Sequence, residues 1–169
     1  MNIIEEDIEF ENIIKDIDSS NEFQKTKEII HHCSNRYDHC KRVAYYTYLV
    51  TKKLKLSYEE ATRAALLHDF FLVDNKDITF KDKVGTLVNH PKYALAFSEK
   101  YFNLTDKEKD IIVTHMFPIA PTRIPKYLES WIVNIIDDYV AIKEEIYAKK
   151  KAAIGYMNFI LAFTMINKD

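Results

Sequence analysis

The sequence predicts an all-α domain. The chain holds only two glycines and four prolines in 169 residues, too few for a fold built on tight hairpins. Three segments, Ser19…Glu22, Ser57…Glu60 and Thr105…Glu108, also fit the helix capping box, in which a hydroxyl and a carboxylate satisfy each other's free amides. At this length one domain spanning 1–169 is expected, and such a chain buries roughly 68–70% of the surface it exposes when unfolded. A protected site is within its means.

The elements follow in order. A first helix is expected over 4–16 and a second over 20–32, behind the Ser19…Glu22 box. The third, 36–54, carries His39, Val43, Tyr46 and Val50 at the spacing of one helix face. The fourth, 58–69, opens behind Ser57…Glu60 and carries Ala61, Ala64, Ala65 and His68 in the same way. Residues 70–90 read as the longest irregular stretch, with Pro91 in the first turn of a fifth helix over 91–101. Thr105…Glu108 opens a helix over 106–116, whose stripe Glu108, Ile111, Ile112, His115 ends just before Pro118. Helices over 129–149 and 152–165 complete a set of about seven or eight, with Lys149–Lys151 as a solvated face. The apolar tail Ala152–Ile166 is too short to cross a bilayer, so it either caps the core or forms a homodimer contact.

Composition narrows the function classes. Twenty-four basic against 26 acidic residues give no cationic excess, so nucleic acid is not the expected partner. Cys33 and Cys40 make neither a disulfide framework nor a zinc-ribbon spacing. The acidic start Met-Asn-Ile-Ile-Glu-Glu-Asp is unlike a signal peptide, and no apolar run reaches about 18 residues. A cytoplasmic protein with no membrane partner is expected.

His68-Asp69, at the end of the apolar run Ala64–Leu67, gives one backbone turn two metal ligands. His39 precedes it, and His90, His115 and Asp137 follow. Each histidine taken singly is more often a core or rim residue than a ligand. Here four of the six histidines fall at inward positions or helix ends on four separate segments, beside an Asp, as convergent coordination requires. His31 and His32 have no such partner.

The runs Tyr37-Asp38-His39-Cys40-Lys41-Arg42-Val43, Leu66-Leu67-His68-Asp69, Asn89-His90-Pro91, Thr114-His115 and Val133–Asp137 resemble the signature of the HD-domain metal-dependent phosphohydrolases. The similarity spans about residues 30–142, and its order His…His-Asp…His…His…Asp is that of the binuclear branch. The resemblance implies an all-α HD fold in which His39, His68, Asp69 and Asp137 hold one metal, while His90, His115 and a bridging Asp69 hold the second. Asp69 is then the catalytic carboxylate. Helical spacing does not separate Asp137 from Asp138, and Asp137 is chosen on the resemblance alone.

Two metals about 3.5–4 Å apart can clamp a water, lower its pKa and aim it at phosphorus. Four imidazoles and two carboxylates suit Fe or Mn first, then Zn or Co, better than Mg or Ca. The expected substrate is a small phosphorylated compound of nucleotide type, cleaved at a phosphoester or phosphoanhydride. Arg42, one turn beyond His39, is expected either to hold substrate phosphate or to form an interhelical salt bridge. Lys92 and Arg123 are further candidates at the mouth of the site. Leu72 stands where many family members carry Lys or Glu, with Asp74 or Lys76 as possible substitutes in the following loop. Two other readings stay open: a di-iron oxygenase, and a metal-retaining regulatory or binding module.

Overall fold

The computed structural model describes residues 7–31, 34–72, 80–120 and 123–166. Seven α-helices are present among them: α1 (Ile8–Asp18), α2 (Asn21–Gln24), α3 (Arg36–Lys53), α4 (Tyr58–Leu67), α5 (Phe80–Tyr101), α6 (Asp106–Thr114) and α7 (Leu128–Ile166). A 3₁₀ turn, Lys25–Glu28, follows α2 and leads into a two-residue antiparallel ribbon, β1 (Ile30–His31) with β2 (Ser34–Asn35). Antiparallel register pairs Ile30 with Asn35 and His31 with Ser34.

Helices α3 and α4 form the centre, with α7 against α3 and α6 against α4. Small side chains permit this: Ala44 of α3 and Ala61, Ala64 and Ala65 of α4 belong to one buried cluster that also takes Phe10, Ile14 and Ile17 from α1 and Val133 and Val140 from α7. Fully burying each larger aliphatic chain, such as Leu66 or Leu67, contributes about 1.5–3 kcal/mol. Arg36 is also wholly buried at the start of α3. Its guanidinium lies 3.8 Å over the Phe71 ring and donates to the Phe71 carbonyl, which fixes the chain just past His68-Asp69.

The helix starts show how far the capping pattern reaches. Thr105 and Glu108 close a full box: Thr105 Oγ1 accepts from Glu108 N at 3.2 Å, and Glu108 Oε2 accepts from Thr105 N at 2.7 Å. Ser20, not Ser19, caps α2, accepting from Phe23 N at 3.2 Å. Ser57 makes no cap bond; its hydroxyl accepts from Lys107 Nζ at 2.6 Å, and its amide donates to Glu129 Oε1 at 3.1 Å.

Three expected boundaries are corrected. The helix expected over 20–32 stops at Gln24, because Thr26 Oγ1 bonds the Phe23 carbonyl at 2.6 Å and competes with the helical ladder before the chain turns extended at Ile29. The stretch read as irregular from 70 to 90 includes the first half of α5, so Pro91 sits inside a helix rather than at its start. A proline there costs about 3 kcal/mol. Burial of His90, Pro91, Ala94 and Ser98 along the same face offsets it. Finally, 129–149 and 152–165 are one helix of 39 residues. Lysines are good helix formers, and a lone Gly155 costs only about 1 kcal/mol against Ala, too little to break it. Cys40 is buried and free, whereas Cys33, Asp74 and Lys76 lie outside the described residues. No helix among the described residues is long and apolar enough to cross a membrane.

The contrast between the boxes is measurable. Thr105→Ala should lower unfolding stability by about 1 kcal/mol in urea titration. Ser19→Ala, whose hydroxyl caps nothing, should fall within about 0.5 kcal/mol of the parent. Equal losses would overturn this assignment of the caps.

Candidate metal centre

His68 and Asp69 follow α4 directly, at the point where the helical ladder ends and side chains can converge from several directions. His115 holds the same place after α6, and each is the C-cap of its helix. Both are fixed alike. His68 Nδ1 donates to the Ala65 carbonyl at 2.7 Å and His115 Nδ1 to the Ile112 carbonyl at 2.8 Å. A carbonyl only accepts, so Nδ1 carries the proton, and in the neutral ring Nε2 presents a lone pair to the interior.

His39 comes from α3 and Asp137 from α7, with Nε2 and Oδ1 2.9 Å apart. His68 Nε2 lies 3.4 Å from the same Asp137 oxygen, buried and without a well-directed hydrogen bond. On the other side, Asp69 Oδ1 lies 3.3 Å from His90 Nε2 and 3.7 Å from His115 Nε2, and the two imidazole nitrogens stand 2.9 Å apart. The rings form a chain: His39 to His68 at 5.4 Å, His68 to His115 at 5.0 Å, and His115 to His90 at 4.9 Å between centroids. All six side chains are buried.

Two ligand groups result, His39–His68–Asp137 and His68–Asp69–His115, each with donor atoms within 4.8 Å of one another. The residue they share is His68, whereas the resemblance implied Asp69 as the bridge. Asp69 Oδ1 is turned toward His90 and His115. The choice between neighbouring aspartates is plain in the geometry: Asp137 is buried against the histidines, and Asp138 is exposed. The donor set fits a divalent cation, since neutral imidazole lone pairs and buried carboxylates surround one space.

The electrostatics agree. Burial alone would depress the His39 pKa, but its bonds to Asp137 and Glu144 outweigh that and raise it to about 10. His68 is likewise raised, Asp137 overcoming its burial, while Asp137 itself is held well below the ordinary carboxylate range by His68 and His39. His115 is lowered to about 3 by burial and by the neighbouring His68 and His90, so its ring stays neutral and free to offer a lone pair. A positive charge is wanted beside Asp137, and the proton on His39 supplies one.

Glu144 is the residue the sequence reading missed. Its Oε2 lies 3.2 Å from His39 Nδ1, leaving Nε2 to face the cluster. Glu144 sits seven residues after Asp137, on the same helix face, and that spacing is the signal that could have found it. Its other oxygen accepts from Arg42, which also donates to Ser34 Oγ at 3.4 Å. Arg42, expected to hold phosphate or to form a salt bridge, is thus engaged as an interhelical ion pair. Arg123 is paired with the buried Asp110 at 3.4 Å, where Asp110 also accepts from Ser130 Oγ and Lys126 N to join α6 to the start of α7. Lys92 is exposed two positions past His90, which on a helix turns it away from the His90 face. Asn134, also unforeseen, donates to the carbonyls of His115 and Phe117 and holds that turn. Leu72 is partly buried.

A family model described as the HD domain matches residues 36–142, more than half of the chain. No curated protein and no solved structure matches it.

Two predictions follow from Glu144 and His39. Glu144→Gln should weaken metal affinity by about 10–100-fold while the fold persists, as judged by metal titration beside a melting curve. In chelator-treated protein, the raised His39 pKa means that its stabilisation is complete below the unfolded value of about 6.5 and is lost as pH climbs through about 10. The melting temperature of that form should fall across this window, and calorimetry in buffers of different ionisation heat should show metal uptake releasing protons. A flat profile with no proton release would refute the His39–Asp137–Glu144 assignment.

Proposed function

Because the chain belongs to the HD-domain family, we propose that it is a metal-dependent phosphohydrolase acting on a small, nucleotide-like phosphorylated substrate. The observation that carries this reading is the convergence of four imidazoles and two carboxylates in one buried space, with the Nδ1 atoms of His68 and His115 tied back to main-chain carbonyls. Two divalent ions, Fe or Mn first and Zn or Co next, would supply Lewis acidity, an activated water and an excess of positive charge that matches a phosphoryl group.

The chain's own groups have separable tasks in this proposal. His39, His68 and Asp137 form the first site, and His90, His115 and Asp69 the second. Asp69 would span them, as the resemblance implies, since a carboxylate offers two oxygens where an imidazole offers one lone pair, whereas in this structure the two candidate groups share His68. Glu144 and the Ala65 and Ile112 carbonyls orient the rings, which lowers the cost of assembling the site. The Phe71 ring, 5.8 Å from that of His90, helps to keep bulk water from the second site. Arg42 acts by holding Glu144, and its substitution should follow that of Glu144 rather than that of a phosphate ligand.

The deciding experiment is metal analysis of the purified protein, followed by a screen of phosphorylated metabolites with Mn or Fe present. Phosphate release is expected. Asp69→Ala and His68→Ala should each remove bound metal and abolish turnover, whereas His90→Ala and His115→Ala should each lower the occupancy of one ion and leave the other. A folded Asp69→Ala protein that keeps two ions per chain would sink the assignment. Oxygen consumption with no phosphate release would replace hydrolysis with oxygenase chemistry.

A further inference from the structure

Helix α7 is apolar on two opposite faces. Val133, Ile136, Asp137 and Val140 turn to the body and are buried. Leu128, Ile135, Tyr139, Ile142 and Ile146 remain 57, 64, 52, 59 and 62% exposed. At about 100° per residue, the second set lies on the far side of the helix from the first. Scattered surface hydrophobics need no explanation, but these five share one line about 27 Å long. A helix apolar on both sides is normally enclosed.

The spacing says what encloses it. Positions 128, 135 and 142 are seven apart, as are 139 and 146, and the two sets interleave by four and three: the seam of a two-stranded coiled coil. With 128, 135 and 142 as d and 139 and 146 as a, Asp138 and Glu145 fall at g, and Lys143 and Lys150 at e. In a parallel pair, each g residue meets the e residue five positions on in the other helix. Asp138 then meets Lys143 of the second copy, and Glu145 meets Lys150. An antiparallel pair would set acid against acid and base against base.

We propose that the outer face of α7 joins two copies of this chain as a parallel, in-register coiled coil. The five seam residues, with Trp131 at 39% exposure, present on the order of 700 Å² for burial, approaching the roughly 800 Å² per partner of a standard interface. Glu145 pairs within its own helix with Lys149 at 2.9 Å, and Lys143 donates to Tyr46 at 3.0 Å. The Glu145–Lys149 pair is 58 and 75% exposed and contributes little, and Lys149, at the next d position, ends the apolar seam, so Glu145 turns to Lys150 of the second copy at little cost. Asp137 and Glu144 lie on the opposite face, and the metal centre is left clear of the interface.

Sedimentation of the metal-loaded protein over a concentration series should show a dimer. Ile142→Glu combined with Ile146→Glu should raise its dissociation constant at least about 100-fold, with helical content and bound metal unchanged. In a Cys33→Ser background, Ile142→Cys should oxidise to a same-site disulfide dimer, because an in-register parallel pair brings each residue beside its own copy. Any of four results would overturn the proposal: a monomer at every concentration, a dimer that survives the double glutamate change, a dimer in which the same-site disulfide fails to form, or a monomer that partitions onto lipid vesicles instead.

Discussion

Two carboxylates buried among apolar helices set the terms for this molecule. Asp69 and Asp137 lie at the meeting of α3, α4, α5, α6 and α7, and a carboxylate taken from water without compensation would cost more than the whole domain's net stability. The imidazoles gathered around them offer that compensation, His39 through its proton beside Asp137 and the cluster as donors that a cation could share, and the helices are arranged to bring them there. Leu66, Leu67 and the alanines of α4 supply the apolar packing that holds the charges in place.

This makes the centre both a liability and the point of the fold. The candidate ligands come from helix ends as well as helix faces, so small shifts between helices alter several distances together. Stability and any metal binding at this centre would therefore be linked. The groups that fix those distances are not themselves reactive: Arg36 pins Phe71, Asn134 pins the turn after His115, and Asp110 gathers Ser130, Lys126 and Arg123 to seat α7 against α6.

Much of this was legible in the sequence, and what failed did so for physical reasons. Four of the expected helices stand close to their predicted limits, because their apolar periodicity is strong. His39, His68, Asp69, His90, His115 and Asp137 do come together. Glu144 was overlooked although its seven-residue spacing from Asp137 was there to read, since an acidic side chain on a helix surface and one orienting a buried imidazole look alike until α7 is known to pack beside α3. Pro91 misled because proline is read as a boundary when packing is unknown. Ser19 and Ser57 misled because a hydroxyl can serve Lys107, or nothing, as readily as a helix amide.

The imidazole anchors differ in kind. His68 and His115 are oriented by main-chain carbonyls three residues earlier in their own helices, acceptors that no side-chain substitution can delete. His39 is oriented by a side chain, Glu144, itself held by another, Arg42. The orientation of two of the four imidazoles is thus shielded from ordinary mutation by being written in backbone, while that of His39 can be retuned by single codon changes. Heritable variation in metal preference would enter this protein through the His39 corner.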